Sequence, residues 1–289
     1  MTPTGVTTND SIGETMSAQF DLPLIHVEAD GLAEGWEKAV LACWERGVRI
    51  PTQYDREDDP DSRDVSLALA VRDPFAEPRI HRALPGGIYD LEVYRQEVVD
   101  GIHDHWIDPE AGKWQYTYHE RLEAYQTPDG AVYNQLDYVV DALAQAPHTR
   151  RAQASVWKCW EDAGIDDPAC LQRMWLRVYN DRLVMASHIR SNDAFKASYM
   201  NMYAFTELQR TIAARLSQRL GREIAVGQYN HMVDSFHIYG SYFADFEKFL
   251  ETVEVRTWEQ RTWTMDMIQP MIDDAREKIA ADLEAERQR

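Results

Sequence analysis

The chain has 289 residues, 44% of them hydrophobic, so it is long enough to bury a sizeable core. Its 49 acidic residues outnumber 30 basic ones, and the formal charge of -19 disfavours nonspecific binding to nucleic acid or to anionic membranes. The sequence contains neither an apolar run of about 20 residues nor a signal-like N-terminus, so it predicts a cytoplasmic protein that does not contact membranes.

The predicted elements begin after a polar leader. Residues 1–18 are rich in Thr, Ser, Asn and Gly, and we expect them to be flexible and to precede one domain over 19–289. Apolar residues at helical spacing predict a helix over about 31–46. A charged, Asp-rich loop over 54–64 then leads to an apolar strand at 65–71.

The rest of the chain alternates irregularly between helices and strands. Further helices are predicted over 90–101, 136–147, 201–221 and 243–253, and strands over 153–160 and 225–240. A hairpin is predicted over 171–190, turning at Asn180-Asp181, because Asn and Asp tolerate positive φ. After Asp273, a narrow apolar stripe predicts a solvated or partner-packing helix. This order, without a repeat or a clear linker, predicts a single α+β domain.

Three cysteines are an odd number, which argues against a disulfide framework. Cys43 lies on the apolar stripe of the first helix and is interpreted as a core residue. Cys170 ends the segment DDPAC, in a turn between two strand-like segments. A thiol in such a turn becomes a nucleophile when nearby cations lower its pKa.

The candidate cations are Arg150, Arg151 and Arg190. Arg150 and Arg151 lie between a predicted helix and a predicted strand, and Arg190, followed by Ser191, ends the hairpin. Paired guanidinium groups suit a phosphate, with the Ser191 hydroxyl as a further donor. Surface ion pairs with the abundant acidic residues are the alternative explanation.

The spacing of these residues resembles that of the thymidylate synthase family. That family has a double-Arg phosphate motif, a nucleophilic Cys 19 residues after the second Arg, and an RSxD motif 20 residues beyond the Cys. In this chain, Arg151 to Cys170 is 19 residues and Cys170 to Arg190 is 20. The motif RSND at 190–193 is then followed by Asn201.

Two further segments extend the resemblance. YTYHERL at 116–122 resembles a segment of the shorter archaeal-type members. DSFHIYGSYFADF at 234–246 resembles the family's Asp-x-His-x-Tyr segment, with one extra residue before His237. The resemblance therefore covers about residues 31–253.

The resemblance implies a thymidylate-synthase-like mixed sheet with packed helices, and a folate-dependent enzyme. Cys170 would add to carbon 6 of a pyrimidine nucleoside 5′-monophosphate, which makes carbon 5 nucleophilic. The compound 5,10-methylenetetrahydrofolate would supply the one-carbon unit. Tyr116 would help to move the carbon-5 proton through water; simple packing of this aromatic ring is the alternative.

The resemblance also implies which residues hold the nucleotide, and it implies a homodimer. Arg56 or Arg63 of the Asp-rich loop would join the phosphate site, and the choice between them stays open. Asn201 would bind the edge of the base, and Asp193 would take part in substrate and folate binding. His237 and Tyr239 would meet the sugar hydroxyl. The residues implied at the phosphate itself are Arg190 and Ser191, with Arg150 and Arg151 of the partner subunit.

Two departures from the synthase pattern favour a hydroxymethylase. Synthases carry a Trp in an IWDEW-like segment that lines the folate pocket, and the matching IHDHW at 102–106 has His103 in its place. The smaller, more polar imidazole would shield the reactive methylene less and would admit or orient water, giving hydroxymethyl where hydride gives methyl. The apolar C-terminal segment of synthases is replaced by LEAERQR. In both departures the chain resembles nucleotide hydroxymethylases, such as the deoxycytidylate enzymes of phages and the cytidylate enzymes of nucleoside-antibiotic pathways.

The base and the sugar stay open at this stage. The phage enzymes carry Asp at the position of Asn201, so an amide favours uracil, although a rotated amide also accepts from cytosine. Tyr199-Met200 in place of the usual Pro-Phe, and the extra residue before His237, would reshape the sugar site towards ribose. We favour a hydroxymethylase of CMP or dCMP, with methylation of dUMP by a thymidylate synthase as the alternative.

Two other classes of function are alternatives to this interpretation. His103, His105 and His119 allow a metal site, but they lack a Cys or carboxylate cluster at matching spacing, so no metal is predicted. A noncatalytic nucleotide-binding module would not need the Cys170 thiol. Cys170→Ala would leave such a module functional, whereas an enzyme would lose turnover and still bind nucleotide.

Overall fold

The computed structural model describes residues 21–288. The leader expected at 1–18 lies outside that range, and the domain boundary after it stays a prediction. The helices are α1 (Leu32–Arg46), α2 (Gly87–Asp100), α3 (Tyr118–Glu123), α4 (Gln135–Gln145), α5 (Ser198–Leu220), α6 (Phe243–Val255), α7 (Trp258–Arg261) and α8 (Met265–Arg287). The strands are β1 (Leu24–Ala29), β2 (Val48–Ile50), β3 (Ser62–Val71), β4 (Ile80–His81), β5 (Tyr125–Gln126), β6 (Val132–Tyr133), β7 (Gln153–Ser155), β8 (Leu171–Tyr179), β9 (Arg182–Asp193), β10 (Ala225–Ile238) and β11 (Thr262–Trp263).

A mixed sheet organises the fold. Its strands follow the order β1-β3-β10-β9-β8-β7, and β2 pairs with β3. The pairs β1–β3 and β10–β9 are parallel, and the others are antiparallel. One face of the sheet is covered by α1 and α5, whose buried residues Trp36 and Phe205 belong to the core. The single α+β domain predicted from the sequence is confirmed.

Within residues 21–288, no helix covers the other face of the sheet, which we name the uncovered sheet face. Side chains alternate along each strand, so those that point away from α1 and α5 remain accessible. Leu24 on β1 is 69% exposed and Met232 on β10 is 38% exposed, although both are large and apolar. Trp175 on β8 is half-buried on the same face. An accessible apolar face of this kind is typical of a protein–protein contact.

The predicted hairpin is confirmed. Asn180 (φ 51°) and Asp181 (φ 54°) both take the left-handed conformation that a two-residue turn between β8 and β9 requires. The predicted strand over 153–160 is wrong beyond Ser155. The chain turns there because the Asp162 carboxylate accepts from the Lys158 N–H at 2.6 Å, and the Lys158 carbonyl accepts from the Glu161 N–H at 2.9 Å.

The C-terminal segment forms α8, which packs on α2 through Ile268, Ile272, Ala275 and Ile279. The sequence predicted this helix only after Asp273, so burial of Ala275 and Ile279 was expected and burial of Ile268 and Ile272 was not. Within residues 21–288, no helix combines the length and the apolar composition that a transmembrane segment needs.

Candidate active site

Cys170 lies half-buried in the loop before β8, and Arg190 on β9 binds that loop. The backbone N–H of Arg190 donates to the Cys170 carbonyl at 2.9 Å. Its guanidinium donates to the Pro168 carbonyl at 2.5 Å and to the Ala169 carbonyl at 3.2 Å. Burial raises the pKa of the Cys170 thiol, Arg190 lowers it, and Asp167 raises it. The sequence-predicted pair of thiol and guanidinium is therefore brought together.

A cavity of about 640 Å³ opens at this thiol, and we name it the Cys170 cavity. Four of the sequence-predicted site residues line it together with Cys170: Arg190, Ser191, His237 and Tyr239. Residues 50–54, at the end of β2 and in the loop after it, also line this cavity. Among the described residues that line this cavity, Arg190 is the only Arg or Lys, and Asp64, Asp166 and Asp167 are acidic.

A bulge in β10 presents polar side chains to the Cys170 cavity. Pairing with β3 runs from Val233–Leu67 to Phe236–Val65, so β10 holds one extra residue there. Within the bulge, the Ser235 hydroxyl donates to Asp64 at 2.6 Å and lies 3.2 Å from Nδ1 of the buried His237. Burial raises the pKa of Asp64. Ser235 and Asp64 were missed by the sequence analysis.

Asp193 and Tyr239 flank His237. Asp193 pairs with His237 across β9 and β10, and its carboxylate accepts from the N–H groups of Phe195 and Lys196 at 3.0 and 2.8 Å. Burial raises the pKa of Asp193 and raises that of Tyr239 to about 12. The Tyr239 ring packs edge-on against His237 with 4.6 Å between centroids. Asp193 thus anchors the turn into α5.

A second cavity of about 430 Å³, which we name the aromatic cavity, adjoins the first. Asp167 lines both cavities. Four aromatic side chains and Glu97 line the second cavity, with Lys113 also on its wall. The aromatic side chains are Tyr94, Trp114, Tyr116 and Tyr118.

Tyr116 and Tyr118 line the aromatic cavity and neighbour Cys170. Burial raises the pKa of both phenols, and the neighbouring Cys170 thiolate would raise them further. The Tyr118 hydroxyl accepts from the N–H of Leu171, the residue that follows Cys170, at 3.3 Å. The sequence analysis selected Tyr116 alone, although the YTYHERL motif contains both.

His103 does not line the aromatic cavity. It is buried, stacks on Trp106 with 3.7 Å between ring centroids, and meets Trp114 edge-on at 5.5 Å. Its Nδ1 lies 2.9 Å from the carboxylate of Glu97, which does line the cavity. Burial raises the pKa of Glu97, and the hydrogen bond from His103 lowers it. The sequence analysis missed Glu97, whose only signal is an acid near the end of a predicted helix.

Asn201, in the first turn of α5, contacts the aromatic cavity through Tyr94. Its Nδ2 donates to the Tyr94 hydroxyl at 2.5 Å, and its Oδ1 accepts from Nδ2 of Asn192 at 3.0 Å. Neither Tyr94 nor Asn192 was selected as a site residue from the sequence. Asn192 was visible only as the variable position of the RSND motif.

The other predicted arginines do not reach the Cys170 cavity of their own chain. Arg150 and Arg151 are exposed beside Tyr138 and His148, near the edge strand β7. The Arg150 carbonyl accepts from Trp175 Nε1 at 3.1 Å, which links this segment to the uncovered sheet face.

The two arginines predicted in the Asp-rich segment, Arg56 and Arg63, do not line the Cys170 cavity either. Arg56 is exposed on the loop beyond Tyr54. Arg63 places its guanidinium over the Trp44 ring at 4.6 Å. Neither is among the residues that line the Cys170 cavity.

The three histidines considered as metal ligands bind separate carboxylates. His103 contacts Glu97, His105 contacts Glu286 at 3.3 Å, and His119 contacts Asp104 at 2.6 Å. Between residues 21 and 288, no three His, Cys, Asp or Glu side chains are grouped so that they could hold a metal ion.

The chain is similar in sequence to known proteins. The family described as Thymidylate synthase matches residues 90–279, more than half of the chain. A Methanopyrus kandleri protein named "Putative thymidylate synthase" is 32% identical over 194 residues, which are 67% of this chain and 85% of that protein. A Methanococcoides burtonii protein of the same name is 24% identical over 228 residues, 79% of this chain and 95% of that protein.

A solved structure supports the same fold. Thermostable thymidylate synthase A from Bacillus subtilis superposes with a TM-score of 0.56 at 18% identity, over 76% of this chain and 84% of that one. With the residues matched by the family, this places the chain in the thymidylate synthase family.

Proposed function

We propose that this chain transfers a one-carbon unit from 5,10-methylenetetrahydrofolate to carbon 5 of a pyrimidine nucleoside 5′-monophosphate and releases a 5-hydroxymethyl product, with CMP or dCMP as substrate. Membership of the family makes the chain a one-carbon transferase. The identities of the nucleotide and of the product are what we propose here. The observation that carries it is the position of Cys170, half-buried in one cavity and adjoining a second, aromatic one.

The nucleotide occupies the Cys170 cavity in this proposal. The Cys170 sulfur adds to carbon 6 of the base, and Arg190 stabilises the thiolate that must form first. Ser191 supplies a phosphate donor, and His237 and Tyr239 supply polar groups for the sugar. At the base, Asn201 pairs with the ring edge through the amide groups that Asn192 and Tyr94 leave unused.

The aromatic cavity suits the folate. Its tyrosines and Trp114 offer flat apolar walls for a pterin ring, and Lys113 offers a cation for the carboxylates of the glutamate tail. The folate supplies a one-carbon unit at the oxidation level of formaldehyde. Asp167, which lines both cavities, marks where carbon 5 of the nucleotide and the one-carbon unit would meet.

The Glu97–His103 pair supports the hydroxymethyl product. His103 holds the Glu97 carboxylate, and burial raises the Glu97 pKa above that of an ordinary carboxyl group, which suits a group that accepts a proton and returns it. A carboxyl group in the cavity wall orients water towards the carbon-5 substituent. The sequence predicted that His103 admits or orients water near the reactive methylene. In this proposal His103 does so through Glu97.

A homodimer completes the phosphate site in this proposal. Among its described residues, the Cys170 cavity is lined by one Arg and by three Asp side chains. By itself this lining is a weak site for the dianionic 5′-phosphate. Arg150 and Arg151 lie exposed next to the uncovered sheet face. Pairing two sheets through this face would bury Leu24 and Met232 and bring the arginines of the partner subunit towards Cys170.

Methylation of dUMP is the second candidate function, and Trp114 favours it. This indole lines the aromatic cavity beside Tyr116 and would shield a reactive methylene from water, so that hydride is captured instead. The relatives named as thymidylate synthases point in the same direction.

One assay separates these functions. The protein is mixed with methylenetetrahydrofolate and, in separate tubes, CMP, dCMP, UMP or dUMP, and nucleotide mass is read together with dihydrofolate absorbance. A hydroxymethyl mass gain without dihydrofolate supports the proposal. A methyl gain on dUMP with stoichiometric dihydrofolate establishes the second candidate. If Cys170→Ala turns over as fast as the wild type, both are wrong.

A further inference from the structure

A chain of buried hydrogen bonds runs behind the site, from the sheet to Asn201. The Ser187 and Tyr229 hydroxyls lie 2.6 Å apart, and Tyr229 lies 2.8 Å from Nδ1 of His231. His231 Nε2 lies 3.0 Å from Oδ1 of Asn192. The chain then continues through Asn201 to Tyr94. Ser187, Tyr229 and His231 are fully buried, so water does not compete for these bonds.

The hydrogen atoms in this series of hydrogen bonds fit only one direction of donation. Burial lowers the pKa of His231 to about 3, so the ring is neutral and carries one N–H. If Nε2 carries the hydrogen, it donates to Asn192 Oδ1, Tyr229 donates to Nδ1, and Ser187 donates to Tyr229. If Nδ1 carries it instead, Tyr229 must donate to Ser187, whose own hydrogen then has no acceptor among the described contacts.

This direction determines how Asn201 is oriented. Since Asn192 accepts from His231 with its Oδ1, its Nδ2 faces Asn201. Asn201 must then turn its oxygen towards Asn192 and its nitrogen towards Tyr94. Turning the amide over would place two N–H groups against each other at Asn192, which leaves buried donors unpaired.

Building on the proposed function, we propose that His231 and Asn192 are positioning residues that lock the Asn201 amide in one orientation and thereby determine which pyrimidine base is accepted. Uracil presents a donor at N3 beside an acceptor at carbon 4, and cytosine presents the opposite order. An amide free to rotate serves both bases, whereas a locked amide pairs with one and opposes the other. The Tyr94 hydroxyl, which accepts from Asn201, keeps its own hydrogen to donate into the aromatic cavity.

The test compares base preference in binding rather than in turnover. Dissociation constants for CMP and UMP, and for dCMP and dUMP, are measured by calorimetry on the full chain carrying Cys170→Ala. We expect a preference of at least about 30-fold for one base, and we expect Asn192→Leu to reduce it to about threefold or less. Gln209→Leu is the matched control, because Gln209 is an equally buried amide on α5 that donates to backbone carbonyls of Leu183 and Gly227. It should leave the preference unchanged.

A second measurement does not depend on how well Asn192→Leu folds. Nitrogen-15 NMR of histidine-labelled protein, with His231 assigned from a His231→Gln variant, should show the Nε2-protonated neutral tautomer. An Nδ1-protonated ring, or an Asn192→Leu variant that keeps the wild-type base preference, would overturn the inference and leave the proposed function intact. Failure to bind any of the four nucleotides would overturn both.

Discussion

Arg190 binds the loop that carries Cys170 by donating to the carbonyls of Pro168 and Ala169. The guanidinium is therefore both a structural clamp on the nucleophile loop and the nearest cation to the thiol, and it lowers a pKa that burial raises. The resemblance of the motif spacing to that of the thymidylate synthase family implied that these two residues belong to one site. The antiparallel pairing of β8 and β9 brings them together, because residues near the two outer ends of a hairpin are neighbours.

Replacing Arg190 by Gln should make Cys170 less reactive. Without the cation, the thiol pKa rises further, so the alkylation rate at a given neutral pH should fall by about tenfold and the pH profile should move to higher pH. The rate of iodoacetamide modification, followed by mass spectrometry of the Cys170 peptide, measures this. The exposed Cys159 should react at its wild-type rate. An unshifted Cys170 profile would show that Arg190 does not act on the thiol.

Cys170→Ala should lower turnover by at least about 1,000-fold, because the covalent route through carbon 6 is lost. Nucleotide affinity should change little, and calorimetry measures it. Cys159→Ala, at an exposed position outside both cavities, serves as the control and should keep wild-type kcat. Full turnover without the Cys170 thiol would contradict the covalent mechanism.

Glu97→Gln should reduce kcat by about 100-fold, since an amide cannot exchange protons as a carboxyl group does. The exposed Glu110→Gln should have no effect. In His103→Phe, which keeps the stacking on Trp106, loss of the hydrogen bond should raise the Glu97 pKa. The acidic limb of the kcat profile should therefore move to higher pH. A limb that stays in place would remove Glu97 from the proton-transfer step.

Mixed dimers should recover activity if the phosphate arginines come from the partner subunit. Arg151→Glu and Cys170→Ala should each be inactive alone. After the two are mixed and allowed to exchange subunits, half of the dimers should be hybrids with one intact site, giving about a quarter of wild-type activity. A mixture that stays inactive after exchange, verified by native mass spectrometry, would show that the partner subunit does not supply Arg151.

Arg79→Met should lower the free energy of unfolding by about 3 kcal/mol. Arg79 is buried, pairs with Glu207, and donates to Thr206 at 3.0 Å, so its loss leaves buried acceptors unpaired. Urea denaturation at fixed protein concentration measures the change. The control is Arg72→Met, which removes an exposed ion pair with Glu28 and Asp30 and should have little effect. Equal effects of the two variants would contradict this account.

The sequence by itself determined the features that local chemistry and spacing control. Helical and strand periodicity and the Asn180-Asp181 turn are properties of nearby residues, so the α+β class could be predicted without coordinates. The family was identified from the resemblance of the spacing of Arg151, Cys170 and Arg190 to that of thymidylate synthases. The strand β1 was missed although its alternation was visible. The short β7 was overextended because a single buried carboxylate, Asp162, turns the chain.

Only the tertiary structure decided which side chains share a cavity and which lie behind one. His103 was chosen because it matches the position of a Trp in the family's IWDEW-like segment, but it stacks on Trp106, and Glu97 is the group that lines the aromatic cavity. His231 and Asn192 carry no motif that marks a partnership, and pairing of β9 with β10 brings them together behind Asn201. Contacts between residues so far apart in sequence depend on strand order and register, which local periodicity does not encode.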